Sequence, residues 1–187
     1  MKLFFNRALK ILLITNALIM VAAAMLGPIY ALFVEEIGGN LLNASMAGGI
    51  LAITGGITTL ISGKYADKIK REEKIVGISY VLLAIGFILY TQVNSIYSLF
   101  AIQALIGFSG ALYSPAFDKL YSKHITQKKA GREWGTWESM SYFTAAIGAP
   151  IGGLIVSNYG FNPLFVIMSS LCLISGIYIL LLPKRIL

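Results

Sequence analysis

The chain has 187 residues, of which 57% are hydrophobic and only 12% are charged, about half the charged fraction of an ordinary soluble domain. This composition excludes a water-soluble globular domain. The net charge is +7, but long apolar runs separate the charged residues, which favours a lipid bilayer as partner and excludes nucleic acid.

Metal and disulfide chemistry do not fit this sequence either. Cys172 is the only cysteine, and His124 is the only histidine and has no cluster of carboxylates near it. Neither a disulfide scaffold nor a zinc site can be built from them. We therefore expect no cofactor and no metal ion.

Four runs without charged residues indicate the transmembrane segments. A spanning helix needs about 20 apolar residues, so the two shorter runs fit one helix each and the two longer runs fit two. Each longer run also has a turn signal near its middle. The runs are residues 11–34, 37–63, 75–117 and 139–183. They predict an all-α membrane protein, a single transmembrane domain over residues 1–187, with spans at 8–33, 41–63, 75–91, 96–117, 133–156 and 163–182.

The basic residues indicate the orientation of these spans. All 15 of them lie before span 1 or in its first turn, follow span 6, or lie between spans 2 and 3 or spans 4 and 5. The opposite connections contain only Glu35 and Glu36 as charged residues. Because cytoplasmic loops are rich in Lys and Arg, we predict an integral protein of the cytoplasmic membrane with both termini in the cytoplasm. A cleaved signal peptide is the alternative for span 1, but the apolar stretch is too long for one.

Spans 1–3 and spans 4–6 resemble each other weakly. Pro28 lies near the end of span 1 and Pro115 near the end of span 4, and spans 2 and 5 end in similar sequences. Copies of three spans must have opposite orientations, and inverted repeats of this kind recur in secondary transporters. We predict two inverted three-helix repeats, over residues 8–91 and 96–182.

Small residues recur at every fourth position on spans 2 and 5. In lipid, such a face lets helix backbones approach each other closely. Two interpretations stay open, namely packing within the six-helix unit and contact with a second membrane unit. The residues are Ala44, Gly48, Ala52 and Gly56 on span 2, and Ser141, Ala145, Ala149, Gly153 and Ser157 on span 5.

A short motif joins spans 2 and 3. It consists of Gly63, Ala66, Asp67, Lys68 and Arg71. The motif resembles the signature loop of the major facilitator superfamily, in which glycine, alanine, aspartate and basic residues hold these positions. Lys70 stands where the family has a second glycine and Glu72 where it has a basic residue, so we expect an altered turn.

Two other stretches extend the resemblance over essentially the whole chain. Gln103 and Gly107 lie where the family often has Arg-x-x-x-Gly, and residues 148–153, which include Pro150, are rich in glycine as in many exporters of the family. The family fold has twelve spans in two halves. The resemblance therefore implies one half of that fold, the amino-terminal one.

The resemblance implies a secondary transporter that moves a small solute by alternating access, and not an enzyme. The two halves of the family share one orientation, so a parallel homodimer would rebuild the fold. A non-transporting interaction subunit, and half of a split transporter with a different second half, stay open as alternatives. Spans 2 and 5 face the other half in the family, which implies that their small residues form the half-to-half contact, with Asp67 as a cytoplasmic latch.

By the same resemblance, spans 1 and 4 line the solute cavity. The polar candidates there are Asn16, Tyr30, Gln103 and Tyr113. For the two amides, a bond to a neighbouring helix is the alternative role, because polar groups in hydrocarbon must find partners. Glu138 lies about 9 Å inside span 5, beside Trp137. We expect this carboxylate to be buried and to exchange a proton, with an ion pair to a basic residue as the alternative.

An enzymatic alternative rests on residues 107–110, whose sequence Gly-Phe-Ser-Gly resembles the Gly-x-Ser-Gly motif of rhomboid intramembrane proteases. A catalytic serine needs a base within hydrogen-bond reach. His124 is predicted to lie in a loop, so the base is missing.

Overall fold

The computed structural model describes residues 6–66, 68–183 and 186–187. These residues contain six helical segments that are long and apolar enough to cross a membrane, which confirms the all-α prediction. Span 1 comprises the helix Arg7–Leu26, the 3-10 turn Gly27–Ile29 and the helix Tyr30–Glu36. Spans 2 to 6 are the helices Leu41–Ala66, Glu72–Leu89, Ile96–His124, Ala130–Tyr159 and Phe161–Leu181.

Spans 4 and 5 extend beyond their predicted boundaries. Span 4 continues past residue 117 to His124, and the helix of span 5 begins at Ala130 and not at residue 133. Polar groups on these extra turns bond to neighbouring segments; for example, the Tyr121 hydroxyl donates to the Glu133 carbonyl at 2.7 Å. The apolar run therefore indicates the part of the helix that fits the hydrocarbon core, and it underestimates the full length of the helix.

Local sequence signals explain where the helices begin and turn. The Asn6 side-chain oxygen accepts the Leu9 N–H at 2.8 Å and caps span 1. Ser95 and Ser98 form a reciprocal capping box at the start of span 4. Gly160 has a φ of +79°, a conformation that glycine adopts readily, and it provides the sharp turn between spans 5 and 6.

Glycines bring pairs of spans into backbone contact. Span 2 packs on span 4, span 3 packs on spans 4 and 6, and span 1 packs on spans 5 and 6. A Cβ atom on Gly107 of span 4 would stand 2.4 Å from the Leu51 carbonyl oxygen of span 2. Such close backbone packing holds helices together in lipid, where the hydrophobic effect does not drive their association.

The two ends of the bundle differ in character. The basic end contains the start of span 1 and the connections between spans 2 and 3 and spans 4 and 5, where the Asn6 amide donates to the His124 carbonyl at 2.8 Å. The described lysines and arginines lie at or near this end. At the opposite end, the Phe33 ring packs edge-on against Tyr90 and Phe165, with centroids 5.5 and 4.8 Å away.

Candidate functional site

A groove lies between spans 1, 2 and 4, and side chains of span 3 form part of its wall. It consists of two cavities of about 480 and 290 Å³. Both cavities are lined by Ala23, Leu51, Phe87 and Ile106, so they adjoin each other. We call the two cavities together the central groove.

Small residues keep the central groove open. Its wall on span 2 includes Ala52, Gly55 and Gly56, and its wall on span 4 includes Gly107 and Gly110. Apart from the neighbouring main chain of the same helix, no described atom lies within 4 Å of the position that a Cβ atom on Gly56 or Gly110 would take. The groove is therefore a consequence of side-chain size on the two helices that face it.

Three of the predicted polar residues line the central groove. Tyr30 and Gln103 line the smaller cavity, and Tyr113 lines the larger one. The Gln103 amide nitrogen donates a hydrogen bond to the Tyr30 hydroxyl. The Gln103 amide oxygen is buried and has no hydrogen-bond partner among the described residues.

Asn16 does not line the groove and instead links two spans behind its wall. Its amide nitrogen donates to the Tyr80 hydroxyl at 3.0 Å, which joins span 1 to span 3. The Tyr80 ring packs edge-on against Tyr113 at a centroid distance of 5.2 Å. Both amides thus bond to a neighbouring helix, which is the alternative role that the sequence suggested.

Glu138 is exposed on the six-helix unit, whereas the sequence analysis expected it to be buried. Successive residues of a helix point about 100° apart, so Trp137 faces inward, against Phe117 at a centroid distance of 6.1 Å, while Glu138 faces outward. At about 1.5 Å per residue, Glu138 lies about 12 Å from the start of the span 5 helix. Among the described residues, no lysine or arginine forms an ion pair with it, and it lies within electrostatic range of Asp118.

The signature motif forms the end of span 2 and a short connection. Gly63 and Ala66 belong to the last turns of the span 2 helix, Lys68 and Arg71 follow it, and Asp67 lies outside the described residues. The described part of the chain has no positive φ at a residue other than glycine. Described residues 68–71 therefore turn without the second glycine of the family pattern.

Glu72 links this connection to span 4, a role that the sequence analysis missed. One Glu72 oxygen lies 2.9 Å from the Lys119 ammonium and 2.7 Å from the Lys123 ammonium, and its side chain is 4% exposed. The Lys119 ammonium also donates to the Ile69 carbonyl at 3.1 Å. The sequence contained a signal for this link. Glu72 is an acidic residue where the family has a basic one, and Lys119 and Lys123 are four residues apart, so they share one face of span 4.

The small-residue faces of spans 2 and 5 are largely exposed in the six-helix unit. No described atom beyond the neighbouring main chain of the same helix lies within 4 Å of a Cβ position on Gly48, Gly56 or Gly153. Other glycines, such as Gly152, make the close contacts inside the unit. Of the other positions on the two faces, Ala44 is buried and Ala149 is half-buried. The remaining ones are exposed, as is Pro150 beside them: Ala52, Ser141, Ala145 and Ser157.

Among the described residues, no histidine or other base is hydrogen-bonded to the serine of the protease-like motif. The Ser109 hydroxyl is buried and donates to the Leu105 carbonyl at 2.7 Å. His124 is on the same helix, about 22 Å further along at 1.5 Å per residue. His124 is therefore too far from Ser109 to act as its base.

Comparison with known proteins identifies relatives over most of the chain. The sequence profile of the Major Facilitator Superfamily matches residues 12–186. Multidrug resistance protein MdtG of Enterobacter lignolyticus (strain SCF1) is 29% identical over 171 residues, which are 89% of this chain and 41% of that protein. The protein of the same name from Salmonella schwarzengrund (strain CVM19633) is 29% identical over 171 residues, 89% of this chain and 42% of that protein. The chain spans about two fifths of the length of these relatives.

Proposed function

Because the chain belongs to the major facilitator superfamily, a family of membrane transporters that are generally not enzymes, we propose that it forms one half of a secondary transporter for a small solute. The other half is a second six-helix unit in the same orientation, and we assign this place to a second copy of the chain. The basic end faces the cytoplasm, as the distribution of lysine and arginine favours. The six spans act as two inverted repeats of three, and the two units rock about a solute held near the membrane midplane.

The observation that carries this proposal is that the central groove reaches the exposed small-residue face of span 2. Ala52 and Gly56 belong both to the wall of the larger cavity and to that face. A solute in the groove would be unprotected on this side. A second unit packed on spans 2 and 5 would enclose it, and small residues at the contact would let the two units slide past each other.

The lining of the groove favours an apolar solute. Among the described residues, no charged side chain lines either cavity. The polar groups that do are hydroxyls and one amide, including Tyr30, Gln103 and Tyr113. The relatives are named for multidrug resistance, which favours drug-like molecules as solutes of this chain.

We propose that Glu138, with Trp137 beside it, couples transport to the movement of protons. An ionisable group inside a membrane span is costly and is usually functional. Glu138 lies on the exposed side of span 5, where a second unit would bury it. The carboxylate then binds and releases a proton as the contact opens and closes.

A second candidate is a membrane subunit with a partner other than its own copy. It would either pair with a different six-helix unit to form a split transporter, or bind another membrane protein and transport nothing. This candidate is favoured by the relatives, in which one chain more than twice as long contains the matching region. It uses the same exposed faces of spans 2 and 5. The two candidates differ in what covers those faces.

The mass of the purified chain in lipid nanodiscs distinguishes the two candidates. A particle with two copies of the chain is expected for the homodimeric transporter. A single copy at every protein concentration would contradict the homodimer and favour the second candidate. The same nanodiscs then serve to measure binding of fluorescent apolar dyes, which a transporter half with an intact groove is expected to bind.

A further inference from the structure

We propose that Gln103 selects solutes that donate a hydrogen bond, so that the central groove takes mainly apolar molecules carrying at least one N–H or O–H group. This inference rests on the proposed function of the groove as the solute site and concerns which solutes enter it. Gln103 acts through direct contact with the solute. It is therefore a specificity residue.

The first observation is a buried acceptor without a donor. The Gln103 side chain is 4% exposed, and its amide oxygen has no hydrogen-bond partner among the described residues. Buried polar atoms are nearly always hydrogen-bonded, and an unsatisfied one needs an explanation. A ligand that donates to this oxygen would satisfy it.

The second observation is that the amide nitrogen is already held. It donates to the hydroxyl of Tyr30, on the neighbouring span 1. Both residues line the smaller cavity of the groove. The bond to Tyr30 uses one of the two N–H groups of the nitrogen, whereas the oxygen is the atom of this side chain with no partner among the described residues.

The surroundings make a single hydrogen bond decisive. The cavity around Gln103 is lined mainly by apolar side chains, including Leu51, Phe87 and Met168. A hydrogen bond is stronger in such a low-dielectric site than in water. Sites built to bond a polar group of the substrate reject analogues that lack the group far better than apolar pockets reject a change in size.

The residue type also sets the direction of the preference. An arginine at this position could only donate hydrogen bonds, and it would favour anionic solutes. The glutamine oxygen accepts hydrogen bonds and carries no charge. The groove therefore distinguishes solutes by their donors and not by a negative charge.

Asn16 provides a matched control. Its amide nitrogen also donates to a tyrosine, Tyr80, and its buried oxygen also has no partner among the described residues. Asn16 does not line either cavity. A substitution there removes a similar inter-helix bond without removing an acceptor from the groove.

The test compares two lipophilic dyes with the same core, of which only one has hydrogen-bond donors on its amino groups. Rhodamine 123 carries N–H groups, whereas tetramethylrhodamine methyl ester has the same core, ester and charge with methyl groups in their place. Binding to the chain in nanodiscs is measured by fluorescence polarisation, with empty nanodiscs as background. The wild-type chain is expected to bind rhodamine 123 about ten-fold more tightly, as one hydrogen bond in an apolar site allows.

The variants identify the acceptor. Gln103→Met keeps the size of the side chain and removes the acceptor oxygen, so it is expected to weaken rhodamine 123 binding about ten-fold and to leave the methylated dye within about two-fold. Asn16→Leu is expected to preserve the ratio of the two affinities. An equal loss for both dyes in Gln103→Met would mean a structural role for Gln103 and would overturn the inference.

The wild-type result decides the inference even if the Gln103→Met variant does not fold. If both dyes bind equally well, the inference is wrong while the proposed apolar solute site still stands. If neither dye binds, the inference and the assignment of the groove as the solute site are both contradicted. A ten-fold preference for the donor dye supports both.

Discussion

Gly152 of span 5 lies so close to the main chain of span 1 that a Cβ atom on residue 152 would stand 1.9 Å from the Met25 carbonyl oxygen. The two spans therefore touch backbone to backbone. The contact holds span 1, which carries Tyr30, in place beside the central groove. At the next residue, Gly153, no described atom outside the neighbouring main chain of span 5 lies within 4 Å of the Cβ position.

We predict that Gly152→Ala destabilises the chain and Gly153→Ala does not. The methyl group at residue 152 must push spans 1 and 5 apart, and overpacking of this kind costs about 1–3 kcal/mol. Thermal unfolding in one detergent measures both variants. Equal stability of the two would show that spans 1 and 5 do not meet at Gly152.

The half-to-half contact is tested on span 2 by Gly56→Leu. A leucine on the small-residue face would keep a second unit away, so we expect the two-copy particle to dissociate. Ser170→Leu is the control, because Ser170 is an exposed small residue on span 6, which is not part of the proposed contact. A two-copy particle that persists in Gly56→Leu would remove this face from the interface.

Glu72→Gln tests the link between the signature connection and span 4. The substitution leaves Lys119 and Lys123 without their shared carboxylate, and bonds between charged groups contribute about 1.5–3 kcal/mol each when shielded from water. Because the two lysines are partly exposed, we expect a loss near 1–2 kcal/mol in thermal unfolding. Glu73→Gln is the control, since Glu73 pairs with an Arg71 whose side chain is 42% exposed. A loss of equal size in both variants would mean that the Glu72 link is not special.

Glu138→Gln tests proton coupling. The amide has nearly the same shape but cannot exchange a proton, so we expect flux driven by a pH gradient into proteoliposomes to be lost. Insertion and the thermal stability of the six-helix unit should hold, because Glu138 is exposed on that unit and exposed substitutions usually change stability by less than about 0.5 kcal/mol. Glu133→Gln should instead lower stability, since the buried Glu133 carboxylate accepts the Thr126 N–H at 2.7 Å. Unchanged pH-driven flux in Glu138→Gln would end this role for Glu138.

Much of the fold follows from the sequence because hydrocarbon imposes simple rules. Apolar runs located all six spans, and the positions of lysine and arginine identified the end where they gather. The two markers of the internal repeat differ in local structure, since Pro28 lies in a 3-10 turn and Pro115 within a helix. The inverted repeat therefore stays a prediction.

The site was less accessible from the sequence, for a physical reason. Polar residues such as Tyr30 and Gln103 stand out in an apolar helix, so the sequence singles them out as candidates. Apolar residues that line a cavity, such as Phe87, have the same sequence signature as those that face lipid, so the sequence does not single them out. Whether Glu138 faces inward depends on the rotation of span 5, which the packing of Gly152 on span 1 sets and which a list of residues does not contain.

The most direct test of the two-unit arrangement is cross-linking between copies of the chain across spans 2 and 5. Two differently tagged chains, both with Cys172→Ala, carry Gly56→Cys in one and Ala145→Cys in the other, and are mixed in nanodiscs with a short bifunctional maleimide. We predict a linked product that contains both tags, because span 2 of one copy faces span 5 of the other. Absence of this product, while both cysteines react with a monofunctional maleimide, would contradict the parallel homodimer.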